Sequence, residues 1–277
     1  MRVVALLARH WPFANGSGRL LDLFARDLDL GDGEKMARTS DGFDMHVLAG
    51  DHIGRHLLLS GRFDRSVVQV LLDQSREGDV LLDIGANIGY VSACFLTHTP
   101  GSKAICIEPQ PGIIDLLRAN MAQFGPRAEI HQVALSDRSG ELRFHVDAKN
   151  RGASHLSEEG EISVPAQKAA ELLAPMGQVD LVKIDVEGHE LVVLQAMEDD
   201  LRRLRPRAIL FEDQTGEAGP EGAIGTIFGA LGYEIFGVKK SLAATQLVPL
   251  RGRTDCRYND YLALRKADIH QSDGNFR

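Results

Sequence analysis

A chain of 277 residues, 44% hydrophobic and 25% charged, is long enough for a substantial buried core and has an ordinary globular composition. That balance excludes collagen-like, coiled-coil and disordered classes. A formal net charge of −8 argues against a polyanionic partner, so no nucleic acid is expected.

The opening apolar run ends at Ala8, before Arg9 and His10, too short for a signal peptide or a membrane span. Leu20, Leu21, Phe24 and Leu28 follow at helical spacing, with Asp22, Arg26 and Asp27 on the other side, which predicts a docking helix. Asp41-Gly42 between two strand-like runs predicts a hairpin over 37–50. His52–Leu59 and Ser66–Asp73 read as helices separated by a turn at Gly61. Residues 1–75 are therefore expected to form an N-terminal α/β cap, 76–266 the main domain and 267–277 a flexible tail.

From Asp79 strands alternate with helices, the pattern of a parallel sheet. DVLLDIG, KAICIEP, AEIHQVALSD, VDLVKIDVEG and RPRAILFED are the predicted strands. YVSACFLTH, residues 111–124, QKAAELLAPM, HELVVLQAMEDDLRRL and AIGTIFGALG are the predicted helices. GELRFHVDAK reads as an inserted strand, and GYEIFGV with NDYLALRK as a closing antiparallel pair. Arg202, Arg203, Arg205 and Arg207 form one short basic run, read as a solvated helix end. Cys94, Cys106 and Cys256 are odd in number and lack metal-ligand spacing, which fits a reducing, cytoplasmic compartment.

Three strand ends carry chemistry. In DIGANIG, Asp83 to Gly89, the glycines let the backbone turn tightly and approach a ligand, and the following helix offers free N–H groups. A dinucleotide fingerprint needs glycine at 85, 87 and 90; Asn87 and Tyr90 count against a pyrophosphate. Glu108 ends the second strand, where a carboxylate can hold two ribose hydroxyls of either a nicotinamide dinucleotide or an adenosyl ligand. VKIDVEGHE brings Asp185, Glu187, His189 and Glu190 to the carboxyl end of the fourth strand. Such an acidic edge can face a sulfonium, deprotonate a hydroxyl or bind a divalent ion. Glu212 ends the fifth strand at the same edge. From these residues alone a nicotinamide-dependent oxidoreductase and a non-catalytic Rossmann-like binding module stay open beside a methyltransferase.

Taken in order, DIGANIG, CIEP, VALSD and KIDVEGHE resemble the FkbM-type methyltransferase family, over roughly residues 37–264. The resemblance implies a Rossmann-like class I methyltransferase fold: a mostly parallel seven-stranded sheet with helices on both faces. It implies S-adenosyl-L-methionine as cofactor and O-methylation of a sugar, glycan or small secondary metabolite. By position, Asp83, Gly85, Asn87 and Gly89 would cradle the methionine end, and Glu108 would hold the ribose. Ala134, Leu135 and Ser136 would border the adenine. Asp185 would face the methyl-transfer centre, with Glu187 and His189 on the acceptor side. His189 or Asp185 is the expected general base, and no metal ligands are assigned. Arg151 to Leu156 resembles a family stretch near the cofactor, whereas QKAAEL departs from the acidic stretch that many relatives carry there. Trp11, Phe13, Phe43 and Phe63 are candidates for stacking against a sugar acceptor. Self-association is compatible with the sequence.

Overall fold

The computed structural model describes residues 2–13, 15–25, 28–147, 150–252 and 258–269. Two short helices, α1 (Arg2–Arg9) and α2 (Ser17–Phe24), open the chain. Leu21 and Ala25 pack with Ala8, Leu20, Leu28 and Leu59, so the helical stripe read from the sequence does dock on the rest of the molecule. Leu28 joins that cluster from beyond the helix end, and Leu23 and Phe24 stay exposed.

The hairpin forms as expected from β1 (Glu34–Arg38) and β2 (Asp44–Leu48), antiparallel, with Ala37 facing Met45. Helices α3 (His52–Ser60) and α4 (Arg65–Gln74) follow. Asp51 caps α3, its side chain accepting from the Ile53 N–H at 3.1 Å, and Gly61 ends it with a left-handed backbone.

The main sheet then begins with β3 (Val80–Ile84), α5 (Tyr90–His98), β4 (Lys103–Ile107), α6 (Ile114–Met121) and β5 (Ala128–His131). Helix α5 is apolar nearly all round because it is buried against the sheet. AEIHQVALSD does not form one strand. It splits after His131: β5 is a half-buried edge of the main sheet, while β6 (Ala134–Ser136) is fully buried and joins a second sheet. That second sheet, in the order β6-β9-β7-β8, contains β7 (Gly140–His145), β8 (His155–Leu156) and β9 (Ile162–Lys168). The inserted strand expected at GELRFHVDAK is thus one of four. Its neighbour β9 alternates buried Val164 and Ala166 with exposed Ser163 and Pro165.

The alternation resumes with α7 (Ala169–Leu173), β10 (Leu181–Ile184), α8 (Glu190–Ala196), α9 (Glu198–Leu204), β11 (Ala208–Glu212) and α10 (Ala223–Ala230). HELVVLQAMEDDLRRL is two helices, broken at Met197. Glu198, Asp199 and Asp200 open the second one, where acidic side chains favour a helix start. Strands β12 (Tyr233–Lys240), β13 (Thr245–Pro249) and β14 (Asp260–Arg265) and the short α11 (Lys266–Ile269) close the described chain. From residue 270 on, the expected tail lies outside the described residues, as does Cys256.

The main sheet runs β13-β12-β14-β11-β10-β3-β4-β5. Its five strands from β11 to β5 are parallel, and β12 and β14 form the antiparallel pair expected at the end. These are the seven predicted strands, and β13 adds an eighth at the edge. The direction of winding reverses between β3 and β10, and in such sheets ligands bind outside the carboxyl ends of the strands at that point.

Candidate active site

A cavity of about 200 Å³ opens at that reversal. Gly85, Asn87, Glu108, Ala134, Leu135, Asp185, Glu187 and His189 all line it, so eight of the eleven expected residues meet in one place. Asp83, Gly89 and Ser136 are not among the lining residues and act from behind it.

The glycine loop is held to the next strand. The Gly85 and Ala86 N–H groups donate to the Ile107 carbonyl at 2.9 and 3.0 Å. Gly85 has φ +79, and a Cβ there would fall 1.8 Å from the Asp185 carbonyl oxygen, so only glycine lets the two loops approach. Gly89, also left-handed, starts α5. Asn87 adopts φ 51, a conformation asparagine tolerates, and its side-chain oxygen accepts from the Ile88 N–H at 2.8 Å.

Glu108 is 6% exposed and accepts two backbone bonds, from Asn87 at 2.9 Å and Gln110 at 2.8 Å. Burial outweighs those bonds and pushes its carboxyl up to about 7. The same residue therefore shapes the loop and keeps further lone pairs for a ligand. Beside it, Gln110 is 2% exposed and its Nε2 has no hydrogen-bond partner, although it lies in the cavity wall. That donor is available to an acceptor on a molecule in the cavity.

Beneath the floor, Asp83 is fully buried. Its Oδ2 accepts from Ser92 at 2.7 Å, and Lys183 Nζ lies 3.4 Å from Oδ1, an ion pair without hydrogen-bond geometry. Lys183 also reaches Asp185 at 3.2 Å and donates to the Gly85 carbonyl at 3.1 Å. Burial alone would lower the Lys183 pKa, but Asp185 and Asp83 more than offset it and hold the ammonium charged. Lys183 thus orients Asp185 and the glycine loop together. Its signal in the sequence was a lysine inside an otherwise apolar strand, and it went unread.

On the opposite edge, Glu187 sits at φ 50, a costly backbone for a non-glycine residue, and such outliers gather at functional sites. Glu190 does not face the cavity; its Oε1 accepts from the Val186 and Gly188 N–H groups, both at 3.1 Å, and fixes the turn. His189 Nε2 lies 3.1 Å from Ser136 Oγ, and burial lowers its pKa, which favours the neutral ring. Glu212 lies close enough for its carboxylate to fall within 4.8 Å of those of Asp185 and Glu187. Burial and these neighbours push it up to about 8.

The cap and the inserted sheet complete the walls. His52, Phe63, Tyr90, Phe144 and Arg151 also line the cavity. Of the four aromatic candidates only Phe63 lies there; Phe43 is core, and Trp11 packs edge-on against Phe13 at 5.5 Å. Asp51 joins the two layers, since its Oδ1 accepts from the Arg151 N–H at 2.8 Å. Tyr90 donates to Asp41 of the hairpin turn at 2.9 Å. Among the described residues no helix is long and apolar enough to cross a membrane.

Comparison with known proteins places the sequence in a family. The model of the Methyltransferase FkbM domain matches residues 83–235, more than half of the chain. Hexuronic acid methyltransferase AglP of Haloferax volcanii is 32% identical over 145 residues, covering 51% of this chain and 59% of AglP. The 2-O-methyltransferase NoeI of Sinorhizobium fredii is 31% identical over 171 residues, covering 54% of this chain and 69% of NoeI. Among solved structures, precorrin-6y C5,15-methyltransferase from Geobacter metallireducens superposes with a TM-score of 0.43 at 16% identity, covering 73% of this chain and 90% of that one. With the matched segment running from the glycine loop through every acidic strand end that lines the cavity, the chain belongs to the FkbM methyltransferase family.

Proposed function

We propose that this protein uses S-adenosyl-L-methionine to methylate a hydroxyl oxygen on a sugar, a glycan or a small secondary metabolite, in the cytoplasm. The observation that carries this reading is the meeting of the glycine loop, Glu108 and Asp185 in one cavity at the sheet's reversal point. The residues present fit the cofactor. Glu108 has lone pairs left for two ribose hydroxyls, Gln110 has an unused donor, and Ala134 and Leu135 offer an apolar wall for a base. When bound, the cofactor supplies a methyl group already activated by a positively charged sulfur.

The chain's own work is then alignment, exclusion of water and removal of one proton. Positioning of two reactants supplies roughly 7–11 kcal/mol of such a barrier. Lys183 holds Asp185 at the cavity floor, where its carboxylate is complementary to a cationic sulfur. His189, neutral through burial, is a base competent to take the acceptor proton, which speeds transfer about 10²–10⁴-fold; Asp185 is the alternative. Glu187 and Phe63 line the same cavity and supply hydrogen-bonding and stacking surface for a hydroxylated acceptor. The printed names of AglP and NoeI, a hexuronic acid methyltransferase and a 2-O-methyltransferase, support a hydroxyl on a sugar as the first class to try. The unpaired thiols of Cys94 and Cys106 fit a reducing compartment. A cap at 1–75 and a catalytic domain at 76–266 belong to the same reading, supported by the main sheet starting at β3 and ending at β14.

Calorimetric titration with S-adenosyl-L-methionine, S-adenosyl-L-homocysteine and NAD tests the proposal. Binding of both sulfur nucleosides without NAD is expected. Binding of NAD alone overturns it in favour of an oxidoreductase.

A further inference from the structure

Helix α3 carries two histidines one turn apart, His52 and His56, on the face covered by α2. Their rings lie 4.4 Å apart, centroid to centroid. Asp22 of α2 reaches both: its Oδ1 is 2.9 Å from His56 Nε2 and 3.8 Å from His52 Nδ1. One donor atom from each of the three residues falls within 4.8 Å of the others. The approach of α2 is close because residue 18 is glycine; a Cβ there would stand 3.3 Å from the His56 ring.

We propose that Asp22, His52 and His56 bind a divalent transition-metal ion of the zinc class, at the rim of the catalytic cavity. Two imidazole nitrogens and one carboxylate oxygen are the borderline donors such ions take, whereas calcium and magnesium favour all-oxygen shells. Bonds of about 2.0–2.1 Å in a tetrahedron put neighbouring donors roughly 3.3 Å apart. The observed 2.9 and 3.8 Å bracket that separation. Without an ion, one carboxylate faces two neighbouring imidazoles, tilted at 53° to each other, that repel when both are protonated; a divalent cation satisfies all three at once. Asp22 and His52 are half-exposed, so the ion has a path from solvent, while His56 is buried. Three protein ligands leave a tetrahedral ion one open position. His52 also lines the cavity, so the ion joins α2 to α3 beside the acceptor side of the site.

The experiment needs neither cofactor nor acceptor, so its outcome is separate from that of the methyltransferase reading. The chelator-stripped full chain is titrated with Co²⁺, and its visible d–d absorption is followed, then bleached with Zn²⁺. A band that saturates at one equivalent is expected. Asp22→Asn and His52→Gln should each weaken binding by at least about 100-fold, more than the roughly 10–100-fold cost of losing an outer-shell partner. Both positions are half-exposed, and circular dichroism checks that each variant is folded. Glu212→Gln, in the separate carboxylate group with Asp185 and Glu187, should leave the band unchanged. No band at millimolar Co²⁺, a band equally strong in the Asp22 and His52 variants, or one lost only with Glu212→Gln overturns the proposal.

Discussion

Glu108 joins two loops through its backbone bonds and, in the proposed function, holds a ribose through its remaining lone pairs. Glu108→Gln keeps the shape but removes the charge and one acceptor. Charge-assisted bonds contribute about 1.5–3 kcal/mol, so the variant should bind S-adenosyl-L-homocysteine about 10–100-fold more weakly by calorimetry. His189→Ala should leave that affinity within about 3-fold, because the ring pairs with Ser136, and should lower turnover of the true acceptor by about 10²-fold or more. Full turnover would move the base to Asp185. The raised carboxyls also set a pH dependence. Glu108 and Glu212 ionise near 4.5 when unfolded but near about 7 and about 8 when folded. Their contribution to stability is complete below 4.5 and is lost as pH rises through those folded values. The buried His56 and His189 act in the opposite sense, but only below their ordinary value of 6.5. The ligand-free melting temperature should therefore fall between about pH 6.5 and 8.5, and Glu212→Gln should flatten the slope. A slope unchanged in that variant would show that Glu212 is not the group titrating.

At the scale of elements, the glycine loop depends on the absence of a single methyl group. Gly85→Ala would drive a Cβ into the Asp185 carbonyl with the backbone already left-handed, at a cost of at least about 2 kcal/mol in chemical denaturation. That loop was legible in the sequence because turn glycines and strand-end acids announce themselves locally. The same holds for β3, α5 and β4, whose boundaries match the apolar runs closely. What escaped was set by distant partners. The break at Met197 shows only in the acidic cluster after it, and the split between β5 and β6 depends on which sheet each half joins. β13 is a partly buried edge strand with little apolar pattern of its own. Lys183 matters through Asp83 and Gly85, far along the chain, Gln110 through a buried donor left without a partner, and His52 comes from a cap read only as helix. Of the expected set, Asp83 and Ser136 lie behind the cavity wall, where Asp83 accepts from Ser92 and Ser136 meets His189.

Over the whole molecule, the start of the chain is stitched to its far end. Asn15 Nδ2 donates to the Ser241 carbonyl at 2.7 Å and to Thr245 Oγ1 at 3.2 Å. Ser66 donates to the Asn15 side-chain oxygen, and the Asn15 N–H reaches the Leu242 carbonyl at 3.3 Å. Asn15→Ala removes three side-chain bonds in a half-buried place and should lower stability by about 1–3 kcal/mol in urea unfolding, with the cofactor affinity unchanged. These contacts also impose a schedule. Asn15 and Ser241 stand 226 positions apart. A ribosome adding about 5–20 residues per second takes roughly 10–50 s to cover that gap. Throughout that interval Asn15 has none of its partners on the β12–β13 hairpin. Contacts of α2 with Leu59 and His56 are available long before that, so the bonds from Asn15 to the β12–β13 hairpin are among the last that this part of the chain makes.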